Sequence, residues 1–203
     1  VDGKLMYNAF YDQFFDDIAS NPYTPSAEVW PSVMKQSYQE EIKSELQRLI
    51  TLLNIKTGLF NVECRVCKNG KTYLMEVSPR GGGNRLAEML NHAADINIIE
   101  AEVRKSVGLP IQPIHEPRYK GHFAILVLHS KCAGKFESIQ INNEFKLQHV
   151  IEEEIRVQPG DMVSSFSGAN AALGTLFLKF ASREELNYAL NNQNNWLTIK
   201  VNS

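Results

Sequence analysis

The sequence predicts an α+β protein in two domains, residues 1–112 and 113–203. Three observations carry that reading. A hairpin with an Asn-Gly turn occupies Val62–Val77. Apolar residues recur at helical spacing on either side of it. Beyond a stretch at 109–117 that holds three prolines, the pattern changes to short apolar or alternating runs, which read as strands. The first domain is therefore expected to be an antiparallel sheet with helices, and the second a small β-rich subdomain.

In chain order, Asp2-Gly3 is a turn signal, and Leu5–Tyr11 reads as a strand after it. The partner strand that should precede the turn is not in the sequence, and there is no initiator Met, so a fragment of a longer chain is expected. Asp12–Pro31 carries Pro22, Pro25 and Pro31 and reads as a long ordered loop or a connector. Ser37-x-x-Glu40 has the form of a capping box, and Ile42, Leu46, Leu49, Ile50 and Leu53 make one helical face. After the hairpin, a helix is expected from near Arg85, with Leu86, Met89, Leu90 and Ala93 inward. Asp95 is expected to cap another, carrying Ile99, Val103 and Val107 and closed by Gly108 and Pro110. In the second domain, strands are expected at 121–129, 135–140, 155–157, 175–180 and 196–201. Ser182-x-x-Glu185 opens a helix with Leu186, Ala189 and Leu190.

The hairpin carries the chemistry. With Asn69-Gly70 as a two-residue turn, Glu63 faces Glu76. Val62, Cys64, Val66, Tyr73, Met75 and Val77 then share a core-like face. Glu63, Arg65, Cys67, Thr72, Leu74 and Glu76 share the other. Directly opposed side chains sit roughly 5 Å apart at Cβ, where like charges destabilise a ladder. Two carboxylates held there suit a hard cation such as Mg²⁺, although a solvated strand face has the same pattern. Ser78 keeps the parity of Glu76 and offers a third oxygen. Pro79 ends the ladder, having no N–H to donate, and Arg80 follows. Gly81, Gly82 and Gly83 permit close backbone approach to a ligand, and the helix start beyond them offers N–H groups to an anion. The same glycines also suit a plain strand-to-helix connector.

Gly58 to Glu63, followed by Tyr73 to Gly83, resembles the metal-binding core of the ATP-grasp superfamily: a glycine, an apolar run, Glu, a turn, a second strand, then Glu-apolar-Asn-Pro-Arg. A weaker likeness extends over nearly all of the chain and is closest to the L-amino acid ligase-like and carbamoyl phosphate synthetase-like branch. The resemblance implies the C-terminal half of an ATP-grasp domain followed by the small β-rich subdomain. It implies that Glu63 and Glu76 bind Mg²⁺ (or Mn²⁺), with Ser78 in the Asn position, a departure that keeps an oxygen but shortens its reach. Arg80 matches the arginine that steadies the phosphorylated substrate, and Gly81, Gly82, Gly83, Asn84 and Arg85 match the substrate-side loop. The implied activity of a full-length parent is an ATP-dependent carboxylate–amine ligase that passes through an acyl phosphate. Its cofactors are ATP and Mg²⁺, its partners are a small-molecule carboxylate and an amine, and a homodimer is compatible with it. The residues that hold adenine and phosphates precede this region in such enzymes, so the chain alone is expected to be inactive without the N-terminal half of its own chain. A carboxylase or carbamoyl-phosphate-type enzyme and a non-catalytic ligand-binding module are the alternatives.

Composition agrees with a globular protein: 43% hydrophobic and 22% charged residues. A net charge of −2 argues against nucleic acid as a partner. No apolar run approaches the ~20 residues of a membrane span, and the start has no signal-peptide pattern, so no membrane partner is expected. Three cysteines, an odd number, point to a reducing, cytoplasmic setting. Cys64 and Cys67 would point to opposite strand faces, and only Cys132 remains to complete a zinc site, so Cys64 is read as a packing residue. His122 and His129 read as packing residues of a strand. His92, on the helix after the glycines, is a candidate for contact with substrate. Glu152-Glu153-Glu154 reads as a solvated charge run.

Overall fold

A computed structural model describes residues 1–202. Its strands and helices run β1 (Asp12–Phe15), β2 (Pro25–Trp30), α1 (Gln36–Leu52), β3 (Asn61–Val66), β4 (Thr72–Ser78), α2 (Leu86–Ala94), α3 (Ile98–Ser106), β5 (His122–Leu128), β6 (Gly134–Ile141), α4 (Asn143–His149), β7 (Val150–Ile155), β8 (Met162–Val163), β9 (Gly174–Phe180), α5 (Arg183–Asn191) and β10 (Leu197–Asn202). The class is α+β with antiparallel sheets, as the sequence predicts.

Two compact units interleave along the chain. One holds residues 1–10 and 32–119, the other 11–31 and everything from Lys120. The sequence reading placed the division after 112 and left 12–31 in the first domain as a loop or connector. The structure differs because 12–30 forms a β-hairpin that pairs with β5: Ala27 stands opposite Leu126 and Trp30 opposite Phe123. Nothing local in a proline-containing stretch marks a partner almost a hundred residues away.

Leu5–Tyr11, expected as a strand, joins no ladder, and its residues up to Phe10 belong to the first unit. The Gln47 carboxamide of α1 holds its start, accepting from the Leu5 N–H at 2.9 Å and donating to the Gly3 carbonyl at 2.9 Å. Tyr7 and Ala9 then pack with Leu90, Ile96 and Ile98. α1 starts at Gln36, so Ser37 lies inside it and caps nothing. Ile42 is buried and Leu53 exposed. α2 buries Met89, Leu90 and Ala93. Asp95, expected to start α3, instead ends α2 in a left-handed conformation (φ 55°), and Asn97 caps α3 by accepting the Glu100 N–H at 2.9 Å. That shifts the inward face of α3 to Ile98 and leaves Ile99, Val103 and Val107 exposed.

The second unit is built on a five-stranded antiparallel sheet ordered β1-β2-β5-β9-β7, beside a three-stranded sheet β10-β6-β8. β5 is buried from Phe123 to Leu128, and its Ala124, Leu126 and Leu128 pack with Leu176, Leu186 and Trp196. Ser182 caps α5 as expected, its Oγ accepting the Glu185 N–H, while the Glu185 carboxylate accepts the N–H of Ala181, one residue before the cap. β7 begins earlier than 155, and the glutamate run is part of this edge strand, with Glu154 paired to Arg156 and Glu153 to Lys146. Charged side chains protect such edges from further pairing. His129, just past β5, stacks on Phe166 with ring centroids 4.1 Å apart and reaches Asp16 Oδ2 at 3.0 Å.

Candidate active site

β3 and β4 form a two-stranded sheet of their own. Their turn is one residue longer than Asn-Gly alone requires. The Cys67 N–H donates to Lys71 O and the Gly70 N–H to Cys67 O, each at 2.9 Å, so the loop is Lys68-Asn69-Gly70. Gly70 takes the left-handed position (φ 75°) that ends such three-residue loops. The longer loop displaces the register by one residue and pairs Arg65 with Tyr73 and Cys64 with Leu74. A bulge at Met75 then restores it, so Glu63 stands opposite Glu76 after all.

The two offsets cancel at the glutamates but not between them. Tyr73 and Met75, expected in the core, are 44% and 65% exposed, whereas Leu74 is half-buried opposite Cys64. Burial raises the Cys64 thiol pKa, which disfavours the thiolate.

Glu63, Glu76 and Ser78 share one face of the hairpin. Ser78 Oγ donates to Glu76 Oε1, so the hydroxyl orients that carboxylate. Directly opposite Ser78 is Asn61, two residues before Glu63 and on its face. Sequence reasoning passed over Asn61, although its parity with Glu63 was readable. Past Ser78, the Arg80 N–H donates to Ser78 O at 2.8 Å, and Arg80 Nη1 donates to Gly81 O at 2.8 Å.

The glycine loop closes on the open end of the hairpin. A Cβ on Gly82 would lie 2.0 Å from Leu86 Cδ1 and 3.1 Å from Asn61 Oδ1. A Cβ on Gly83 would meet nothing within 4 Å. A side chain at Gly82 would thus require the end of Leu86 to move, and Gly83 is the one of the three that faces open space. Asn84 and Arg85 both adopt left-handed backbone (φ 49° and 62°) before α2 begins. Such conformations in residues other than glycine cost energy and cluster at ligand-binding segments. Arg85 Nε donates to Glu88 Oε1 at 3.1 Å. His92 is exposed in the last turn of α2, beyond this loop.

The sequence matches no protein-family model and no curated protein. Solved structures do match. An L-amino acid ligase from Bacillus licheniformis superposes with a TM-score of 0.77 at 19% identity, over 91% of this chain and 46% of that one. Phosphoribosylglycinamide synthetase from Anaerococcus prevotii gives 0.73 at 17% identity, over 95% and 48%. The biotin carboxylase domain of Hydrogenobacter thermophilus 2-oxoglutarate carboxylase, a dimer solved with MgADP and bicarbonate, gives 0.62 at 13% identity, over 90% and 41%. The chain has part of the ATP-grasp fold. It spans about half the length of these structures.

The donors on this face of the hairpin are of the kind that bind a hard divalent cation. Two carboxylates, a hydroxyl and a carboxamide are all hard oxygen donors. Mg²⁺ binds through one or two carboxylates, keeps several waters and takes its remaining contacts from phosphates. Among the described residues, no group of three or more His, Cys, Asp and Glu side chains comes together to hold a metal.

Proposed function

We propose that this chain carries the metal and substrate side of an ATP-dependent carboxylate–amine ligase, with an amino acid or similar small carboxylate as substrate. The observation that carries this reading is the direct opposition of Glu63 and Glu76 on a chain with part of the ATP-grasp fold. Two like charges so placed weaken a ladder, and a ligase gives them a use.

A carboxylate is a poor electrophile and must first be phosphorylated. Phosphoryl transfer is mainly positioning and neutralisation of charge on the phosphate oxygens. Mg²⁺ bound at Glu63 and Glu76 would supply that neutralisation. The Ser78 hydroxyl keeps Glu76 in one orientation. Arg80, at the end of β4, would place its guanidinium against the anionic acyl phosphate, where a fixed cation is worth most. The open backbone at Gly83 and the turn at Asn84 and Arg85 would lie along the substrate, with Glu88 holding Arg85 in place. An acyl phosphate hydrolyses readily, so water must be excluded until the amine arrives. The portion that holds the nucleotide would lie outside these 203 residues, as the coverage of the structural neighbours suggests.

The test is ADP and phosphate release with Mg²⁺, by the protein that contains this chain, against pools of amino acids and small carboxylates. Release that needs both a carboxylate and an amine supports the ligase. Release with bicarbonate alone would point to a carboxylase. No release from a folded, ATP-binding protein would favour a binding module.

A further inference from the structure

We propose that Asn61 supplies the third protein oxygen to the cation at Glu63 and Glu76, in the role that a carboxamide at position 78 would otherwise fill. The inference rests on the metal reading of the hairpin. At position 78, where the motif described above has Asn, this chain has Ser. A serine hydroxyl reaches less far than a carboxamide oxygen, and Ser78 Oγ is engaged as a donor to Glu76 Oε1. The carboxamide missing from position 78 is present directly across the ladder, at Asn61. Side chains so opposed have Cβ atoms roughly 5 Å apart, so the carboxamide at Asn61 is rooted next to Ser78 on the face that carries both glutamates. Asn61 also shares its face with Glu63, two residues on. The four side chains thus form a square: Asn61 and Ser78 at the open end, Glu63 and Glu76 behind them.

That carboxamide lies beside the glycine loop. Asn61 Oδ1 lies 3.1 Å from the Cβ position of Gly82, so any side chain at 82 would press on the amide. Asn61 is half-buried while both glutamates are exposed. A donor restrained by its surroundings loses little freedom when it binds a cation. Asn and Gln carbonyl oxygens are ordinary ligands of hard divalent ions. In this arrangement Ser78 is a positioning residue for Glu76, and Asn61 is the ligand.

Mn²⁺ binding to the full 203-residue chain, followed by electron paramagnetic resonance, tests the assignment apart from any catalysis. The variants are Glu76→Gln, Asn61→Ala and Asn61→Asp, each checked for folding by its thermal transition. Expected are loss of binding in Glu76→Gln, a weakening of about tenfold or more in Asn61→Ala, and binding at least as tight as in the unmodified chain in Asn61→Asp. If Glu76→Gln weakens Mn²⁺ binding and Asn61→Ala does not, the role of Asn61 is wrong and the metal site stands. If Asn61→Asp weakens binding as much as Asn61→Ala does, Asn61 acts through packing on the loop, and the inference fails. If the unmodified chain does not bind Mn²⁺, or Glu76→Gln binds it unchanged, the metal reading itself fails and takes the inference with it.

Discussion

Glu63 and Glu76 oppose each other where like charges repel. Without a cation, removing one charge should therefore help the fold. Glu63→Gln is expected to stabilise the metal-free chain by a few tenths of a kcal/mol. Thermal unfolding with and without Mg²⁺ reads this: stabilisation by Mg²⁺, present in the unmodified chain, should vanish in the variant. The three glycines separate just as clearly. Gly82→Ala must move the end of the Leu86 side chain and crowd Asn61, and is expected to destabilise by about 1 kcal/mol. Gly83→Ala meets nothing and should fall within about 0.5 kcal/mol of the unmodified chain. Equal melting temperatures for the two alanine variants would contradict the packing described for the loop. At this scale the opposition of the two glutamates across the hairpin was legible in the sequence. The sequence was not legible where a side chain's value depends on its partner across the ladder, as with Asn61.

At the scale of elements, the hairpin shows how a correct pairing can rest on two unread offsets. Asn-Gly announced a turn but not its length. The extra loop residue and the bulge at Met75 cancel at Glu63 and Glu76, while Tyr73 and Leu74 exchange faces. Helix α3 was legible as a helix but not in phase. Asp95 and Asn97 are both plausible caps, and the left-handed Asp95 that closes α2 decides for Asn97. Asn97→Ala is expected to cost about 1 kcal/mol in thermal unfolding, and Asp95→Asn much less, since Asn also tolerates that conformation. The β1–β2 loop adds a dependence on pH. Burial raises the Asp16 carboxyl pKa, but hydrogen bonds from His129 and the Ile18 N–H outweigh it and hold it below the usual aspartate value. A carboxyl depressed in the fold contributes stability above its unfolded titration, and that stability is lost as pH falls through the lower, folded one. Hydrogen-exchange protection of residues 16–24, relative to the intrinsic rate at each pH, is therefore expected to fall on acidification below the ordinary aspartate range. In Asp16→Asn that acid-dependent step should disappear.

For the molecule as a whole, the α+β class and the β-rich second part followed from periodicity and turn residues. The interleaving of the two units did not, because β2 joins β5 through contacts that span most of the first unit's sequence. One consequence is that residues 113–203 are not a complete folding unit: without β1 and β2, the fully buried β5 would present an open apolar edge. That segment expressed alone is expected to aggregate or to lack a cooperative thermal transition, whereas the 203-residue chain should show one. The central proposal for the whole protein is that Glu63 and Glu76 would hold a cation that assists phosphorylation of a carboxylate. Hydroxylamine, as a surrogate amine, captures an acyl phosphate as a hydroxamate. The most direct measurement is hydroxamate formation from ATP, Mg²⁺ and a pool of amino acids, by the protein containing this chain and by its Glu76→Gln variant. Hydroxamate that appears with the unmodified protein and is lost in the variant is the predicted result. Hydroxamate formed equally by both, or ATP consumed with no hydroxamate from any carboxylate, would contradict the account.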